Sequence, residues 1–348
     1  MKNNKNNKKF PVGKLKHEYL RKVLKEFVSD LEIHDKRIIL GSKIGEDAAV
    51  IDIGDKFLVA KTDPITFATD EIGYYVVNIN VNDVVCTGAT PKWFQSTILL
   101  PEKDTTEDLI EDVFKNIHNT CKSMGIAVIG GHTEVTTGLE RPIIVGSLLG
   151  EVEKEKLVST SGAQPGDALI LTKGIFIEGT SIIGREREGT LEKNGYSRDF
   201  IERCKNYLFK PGISVFKDAL LSNKNFEIQS MHDPTEGGLT CGIAEMGIAS
   251  NTGVIIKSKE IKILPEPLEL SKHFKINPLG TISSGTLLIA IDDSYSSELL
   301  ELLNKNNIAS NKIGEFTSKN KGLMIKEADG SIKPLVYSEI DEITKIFE

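Results

Sequence analysis

Short apolar runs broken by glycine turns alternate along this chain with longer stretches whose apolar residues fall at helical spacing. In Lys14–Leu31, the positions Leu15, Tyr19, Val23, Leu24 and Phe27 predict an amphipathic helix, and Arg37–Leu40 predicts a short strand. Ala48–Ile53 and Phe57–Lys61, with Gly54-Asp55 between them, predict a hairpin. Glu71–Ala89 reads as a helix closed by Gly88. Trp93–Leu100 reads as a strand, and Thr106–Met124 as a long amphipathic helix. Ile126–Ile129 is a strand that runs into the loop GGHTEV, and Arg141-Pro142 opens another strand, Ile143–Val152. The order β-β-α-β-α-β-β is an α/β mixture, more strictly α+β, with many strands for few helices.

A Pro/Gly turn at Ala163–Asp167 precedes a second apolar set that starts with the strand Ala168–Thr172. Helices are predicted at Glu178–Glu186, Val215–Leu221, Glu266–His273 and Ser294–Asn304, and strands at Gly253–Lys257 and Gly285–Asp292. Between them IQSMHDPTEGGLTCGIAEMGIAS reads as strand, turn and helix, with Thr235, Glu236 and two glycines in the first helical turn. The chain closes with a strand and a hairpin around Asp329-Gly330. At 348 residues it exceeds what one core of roughly 250–300 residues organises, so two domains are expected. The expected divisions are a Lys/Asn tail (1–13), an N-terminal domain (14–155) and a C-terminal domain (156–348). The tail reads as a disordered, solubilising terminus in preference to a nucleic-acid arm.

Composition narrows the function. A net charge of −7 argues against general nucleic-acid binding and against an anionic membrane surface. No apolar run approaches about 18 residues, and there is no signal peptide pattern. Cys86, Cys121, Cys204 and Cys241 are far apart with no CxxC pair, as expected of reduced thiols in the cytoplasm. Signatures of phosphate loops, dinucleotide folds, kinases, nucleophile elbows and HExxH metalloproteases are missing.

Four polar clusters carry candidate chemistry. Asp47 and Asp63 flank the predicted hairpin at the same end, where two carboxylates repel unless a cation lies between them; Lys43 and Lys61 are the nearby bases. Mg²⁺ is typically held by one or two such carboxylates with substrate phosphates, whereas the plain alternative is a pair of solvated loop acids. Asn80, Asn82 and Asp83 lie among valines in the Glu71–Ala89 helix, either as ligands or as a packing network. Gly130-Gly131-His132-Thr133-Glu134 follows a buried strand, where glycine amides can face a phosphate or simply form a bulge. His232–Gly238 reads as an anion-receptive helix start, or as an ordinary cap by Asp233 or Thr235.

Taken in order, GEDAAVI, KTDPI, NINVNDVVCTGATP, GGHTEV, SGAQPGDALILTKGI, HDPTEGGL and SSGTLLIA resemble the aminoimidazole-ribonucleotide (AIR) synthase-like superfamily over about residues 40–292. That superfamily includes thiamine-monophosphate kinase, selenophosphate synthetase and HypE, and the chain is most similar to its HypE-like, AIR-synthase-related branch. The resemblance implies a two-domain fold, ATP and Mg²⁺ as cofactors, and a homodimer in which N-terminal halves close a β-barrel with ATP at the interface. Asp47, Asp63 and Asp83 match acidic metal ligands, with Asn80 or Asn82 assisting. Lys43 and Gly45 lie in the loop that would cover the triphosphate, and Gly130, Gly131 and Thr133 in the phosphate-side loop. His132 replaces an acid of the family pattern. HypE proper ends in a cysteine that carries the group it dehydrates; no cysteine follows Cys241 here, so that reaction is not expected on this chain's own tail.

The expected activity is phosphoryl transfer from ATP to an amide or carboxyl-type oxygen of a small-molecule or protein acceptor. His132, Glu134 or His232 would handle protons, and the turn carrying Asp233, Thr235, Gly237 and Gly238 would hold the acceptor or its phosphate. The alternatives are a nucleotide-binding, non-catalytic partner in a maturation complex, and a small-molecule kinase similar to thiamine-monophosphate kinase. A purely structural dimer is the weakest alternative.

Overall fold

The computed structural model describes residues 10, 15, 17–28, 31, 34–41, 46, 48–66, 68–338 and 340–347. Residues 1–9, Lys43, Gly45 and Asp47 lie outside the described residues. Helix α1 (His17–Phe27) comes first, then β1 (Ile38–Leu40) and the hairpin β2 (Ala49–Asp52) and β3 (Lys56–Ile65). Helix α2 (Ile72–Cys86) leads to β4 (Thr90–Pro101), α3 (Glu107–Met124), β5 (Ala127–Thr136) and β6 (Ile143–Glu153). The second half begins with β7 (Asp167–Thr172), followed by α4 (Ile177–Glu186), α5 (Glu188–Lys193), α6 (Arg198–Asn206) and α7 (Phe216–Asn225). After these come β8 (Ser230–His232), α8 (Gly238–Ala249), β9 (Gly253–Lys257), α9 (Pro265–Phe274), β10 (Leu288–Asp292) and α10 (Ser296–Lys305). Strands β11 (Ser310–Thr317), β12 (Leu323–Lys326) and β13 (Ile332–Pro334) complete the sheet elements.

Each half builds one sheet. The first has the order β1-β2-β3-β6-β4-β5, and the second β13-β12-β9-β11-β7-β10-β8. In the first sheet, alternate residues Phe57, Val59, Phe94, Ile98, Ile144 and Leu148 point to one face and are buried with the valines of α2. Helix α2 carries apolar residues on every side, and of its residues only Tyr74 is not fully buried. A helix of that pattern must be covered all round, and here the first sheet covers one side while the second half covers the other. Strand β7 joins the two cores: Ala168 and Ile170 face the core shared with the first half, Leu169 and Leu171 the second core.

The opposite face of the first sheet is open. Leu58, Ala60, Trp93, Leu99, Ile143, Val145 and Leu149 are only half-buried there. Strand β5, at the sheet edge, is exposed from Ala127 through Val135.

Three elements differ from the sequence expectation. Strand β3 continues to Ile65, so Asp63 lies within the strand and not after it. GGHTEV is part of β5 and not a loop, because it pairs in parallel with β4 through Pro101–Thr136. Helix α8 begins at Gly238, so Thr235 and Glu236 precede it and neither Asp233 nor Thr235 caps it; Gly237, at φ +80°, holds the cap position.

Candidate functional site

Helix α2 gathers the site along successive turns. Asn80 comes first: its Oδ1 accepts the Asp63 backbone N–H at 2.9 Å, and its Nδ2 donates to the Asp63 carbonyl at 3.3 Å and to the Val76 carbonyl at 2.8 Å. Asp83 follows three residues on, buried, with Oδ2 at 2.8 Å from the Lys61 ammonium. That ammonium also lies 3.2 Å from Asp63 Oδ2. Lys61 and Asp63 are two apart on β3, so both project to the helix side of the sheet. Cys86, another three residues on, places Sγ 3.8 Å from Asp233 Oδ1 of the second half. Asn82 joins the halves on a neighbouring side: it donates to the Ile213 carbonyl at 2.8 Å and accepts the Val215 N–H at 2.9 Å.

Asp63 and Asp83, two of the three acids that the resemblance gives as metal ligands, both lie beside the ammonium of Lys61, and Asp47, the partner expected for Asp63 across the hairpin, lies outside the described residues. The amides of Asn80 and Asn82 are committed to neighbouring backbone. Their work in this structure is holding Asp63 and the 213–215 segment against α2.

Gly131 lies in the same cross-strand row as Asp63. Asp63 pairs with Gly146, Gly146 with Ser96, and Ser96 with Gly131. Three strand spacings of about 4.8 Å put the row's ends roughly 14 Å apart. Gly131 is required there, since a Cβ would meet the Ser96 carbonyl oxygen at 2.2 Å. Thr133 shares the helix-facing side through its register with buried Ile98, whereas His132 and Glu134 alternate onto the open face. They pair there with each other, His132 Nε2 3.1 Å from Glu134 Oε2, and both are exposed. The structure thus separates His132 and Glu134 from the Asp63–Asp83 pair by the thickness of the sheet. Gly130 has open space where a Cβ would stand.

The third cluster sits where three loops of the second half meet. His232 is buried with Nε2 2.8 Å from Glu245 Oε2. The Gly237 N–H donates to Asp341 Oδ2 at 2.6 Å, and the other oxygen of Asp341 accepts the Ile343 N–H at 2.7 Å. A Cβ on Gly238 would meet the Thr281 backbone at 2.6 Å, which draws this loop tight against 279–281. Burial raises the Asp341 carboxyl to about 6, against the backbone amides that hold its charged form.

Glu178, in the first turn of α4, is a residue that the sequence reading missed. It is buried, its Oε2 has no hydrogen-bond partner among the described residues, and burial pushes it up to about 7. The charges of Glu236 and Asp341 add to that shift, and Ser284 opposes it. Its signal was a lone acid between Ile177 and Gly179 in an otherwise apolar run.

Asp63 and Asp83 suit a hard divalent cation. Their oxygens are hard donors, Asp83 Oδ2 has no hydrogen-bond partner among the described residues besides its ion contact with Lys61, and Asp63 remains about a third exposed. No set of three or more His, Cys, Asp or Glu side chains forms a metal cage among the described residues. Mg²⁺ needs none, because it keeps waters and shares substrate phosphates. No described helix is long and apolar enough to cross a membrane.

Comparison with known proteins matches both halves. Residues 45–152 match the model of the AIR synthase related protein N-terminal domain, and residues 164–326 that of its C-terminal domain. A putative hydrogenase expression/formation protein of Methanocaldococcus jannaschii is 30% identical over 325 residues, covering 91% of this chain and 92% of that one. The structure is similar to that of HypE in a HypE–HypF complex, with a TM-score of 0.71 at 20% identity over 92% of this chain and 99% of that one. It is also similar to AaThiL complexed with AMPPCP and TMP, with a TM-score of 0.69 at 19% identity over 93% and 97%. The two-domain α+β architecture and both matched halves place this chain in the AIR synthase related family.

Proposed function

We propose that this chain is an ATP- and Mg²⁺-dependent, HypE-like enzyme that phosphorylates an amide or carboxyl-type oxygen and so makes it a leaving group. The observation that supports this most is the convergence of Asp63 from β3 and Asp83 from α2 on the ammonium of Lys61. Cys86, one turn further along α2, carries the contact with the Asp233 loop. Phosphoryl transfer asks mainly for positioning and charge neutralisation, which fixed carboxylates and a bound Mg²⁺ supply. In this reading Asp63 and Asp83 hold the metal, with Asp47 as a third carboxylate. Lys43, Gly45 and the amides of Gly130 and Gly131 serve the phosphates, with Thr133 beside them.

The acceptor, a small molecule or a protein, sits in this proposal at the loop of Asp233, Thr235, Gly237 and Gly238, near His232. Glu178, held near neutral pKa by burial, suits proton transfer there better than His132, which faces away from the acids. The half-buried apolar face of the first sheet and the exposed β5 support a homodimer through that face, since such a surface is ordinarily covered. A cytoplasmic setting suits four buried, unoxidised cysteines. ATP hydrolysis measured with Mg²⁺ in Asp63→Asn and Asp83→Asn tests the assignment: turnover equal to wild type refutes it.

A second reading, a nucleotide-binding partner in a maturation complex without turnover of its own, is favoured by the placement of His132 and Glu134 on the open face, paired with each other. Calorimetry that shows ATP binding, with no product formed from any candidate acceptor, supports that reading over the first.

A further inference from the structure

The ammonium of Lys61 stands between two carboxylates, 3.2 Å from Asp63 and 2.8 Å from Asp83. The three groups are not equally free to move. Asp63 is pinned through both its backbone polar groups by the Asn80 carboxamide. Asp83 rides on a helix buried on nearly every side, and its own side chain is 6% exposed. Gly146 backs the clamp so closely that a Cβ there would meet Asn80 Nδ2 at 2.3 Å. Lys61 alone reaches the cluster on a flexible four-carbon stem, and its side chain is still 19% exposed.

Fixed carboxylates of like charge need a counter-charge at all times. With no metal bound, the lysine provides it. A divalent ion entering through the exposed side of Asp63 competes with the ammonium for these carboxylates, and two cations at contact distance repel each other. We infer that Lys61 is an internal counter-ion that exchanges with the divalent metal: it holds Asp63 and Asp83 together in the metal-free protein and leaves them when the metal binds, freeing its ammonium for a phosphate oxygen of the nucleotide. This rests on the proposed magnesium reading of the two acids and adds a positioning residue to it.

The exchange makes an unusual prediction, because removing Lys61 should weaken the protein and strengthen its metal site. Mn²⁺ serves as the paramagnetic probe in an electron-spin titration of the full chain without nucleotide, and thermal melts are run in chelator and in Mg²⁺. Lys61→Met is expected to bind Mn²⁺ more tightly by roughly tenfold or more, tenfold being the scale of one unit charge removed at contact distance under water-like screening. Its metal-free form is expected to melt lower than wild type, and Mg²⁺ to raise its melting temperature by more than it raises that of wild type. Lys61→Arg, which keeps the charge, is expected to follow wild type. If the Met variant does not fold, Lys61→Gln carries the same comparison.

Equal Mn²⁺ affinity in wild type and the neutral variant overturns the exchange while leaving the magnesium reading in place. A lower melting temperature with the same Mg²⁺ response reduces Lys61 to a packing residue and overturns it too. No Mn²⁺ binding by any folded form overturns the exchange, and if adding AMPPCP does not restore binding, the magnesium reading falls with it.

Discussion

Asn80 grips Asp63 by its backbone at both ends of the residue, accepting its N–H at 2.9 Å and donating to its carbonyl at 3.3 Å. A side-chain amide in the middle of a buried, valine-rich helix thereby sets the position of a carboxylate on the neighbouring strand. The clamp links packing directly to chemistry, since the Asp63 side chain is placed by a residue that does not touch its oxygens.

Asn80→Ala leaves both Asp63 groups without that partner. The expected cost is about 1–3 kcal/mol of stability for a buried polar network broken from one side, read by urea denaturation. Gly146→Ala pushes a Cβ against the same amide and should cost a similar amount. Because the two changes damage one contact, the double variant should lose less than the sum of the singles. Strict additivity would show that the clamp is not what Gly146 protects.

Glu178 makes stability fall with rising pH over a defined window. Its folded-state value is about 7, against an ordinary value of 4.5. Between those values the folded protein holds a proton that the unfolded chain has released, so unfolding free energy declines as pH climbs from about 4.5 to 7 and the loss is complete above that. Asp341, raised to about 6 from 3.8, acts in the same direction at lower pH. Glu178→Gln should flatten the upper part of this slope in a series of thermal melts. An unchanged slope would show that Glu178 is not the titrating group.

The legible part of this molecule was its regular elements. The hairpin around Gly54-Asp55, helix α2 and the amphipathic helix α3 are legible as elements in the local sequence, although β3 runs past the expected Lys61 to Ile65. GGHTEV was misread because two glycines ordinarily mark a loop. Here Gly131 is demanded by a non-local contact, the approach of the Ser96 carbonyl across a parallel pair, and nothing within β5 announces it. The side of the sheet on which His132 falls depends on that same register. Asp63 and Asp83 were both identified as charge-bearing candidates, but Lys61 as their shared cation depends on β3 packing against α2. Glu178 gave only a faint signal, because its meaning comes from Glu236 and Asp341, which are remote in sequence and close in space.

The exposed strand β5 predicts an oligomer. Val128, Ile129 and Val135 are each more than half exposed along it, on an edge that is otherwise ready to pair with another chain. Ile129→Lys should shift the protein to a monomer in sedimentation velocity without loss of helical signal, because the residue packs little within its own chain. A wild type that sediments as a monomer, or a variant that keeps the dimer mass, would rule this edge out as the contact.

Asp341 ties the end of the described chain to the Gly237 loop through a 2.6 Å hydrogen bond. Asp341→Ala leaves the Gly237 and Ile343 amides without their carboxylate partner while keeping Ile343 and Ile346 to pack in the core. The expected result is faster proteolysis near residues 338–347 with little change in the global melting temperature. Wild-type resistance would contradict the tie.

Asp63 and Asp83 as joint holders of a magnesium-bound nucleotide is the claim on which the functional account rests, and calorimetric titration of AMPPCP with and without Mg²⁺ tests it most directly. Wild type should bind the analogue only when Mg²⁺ is present, and Asp63→Asn combined with Asp83→Asn should abolish that dependence in a protein that still melts cooperatively. Retention of the same Mg²⁺-dependent affinity in the double variant would contradict the account.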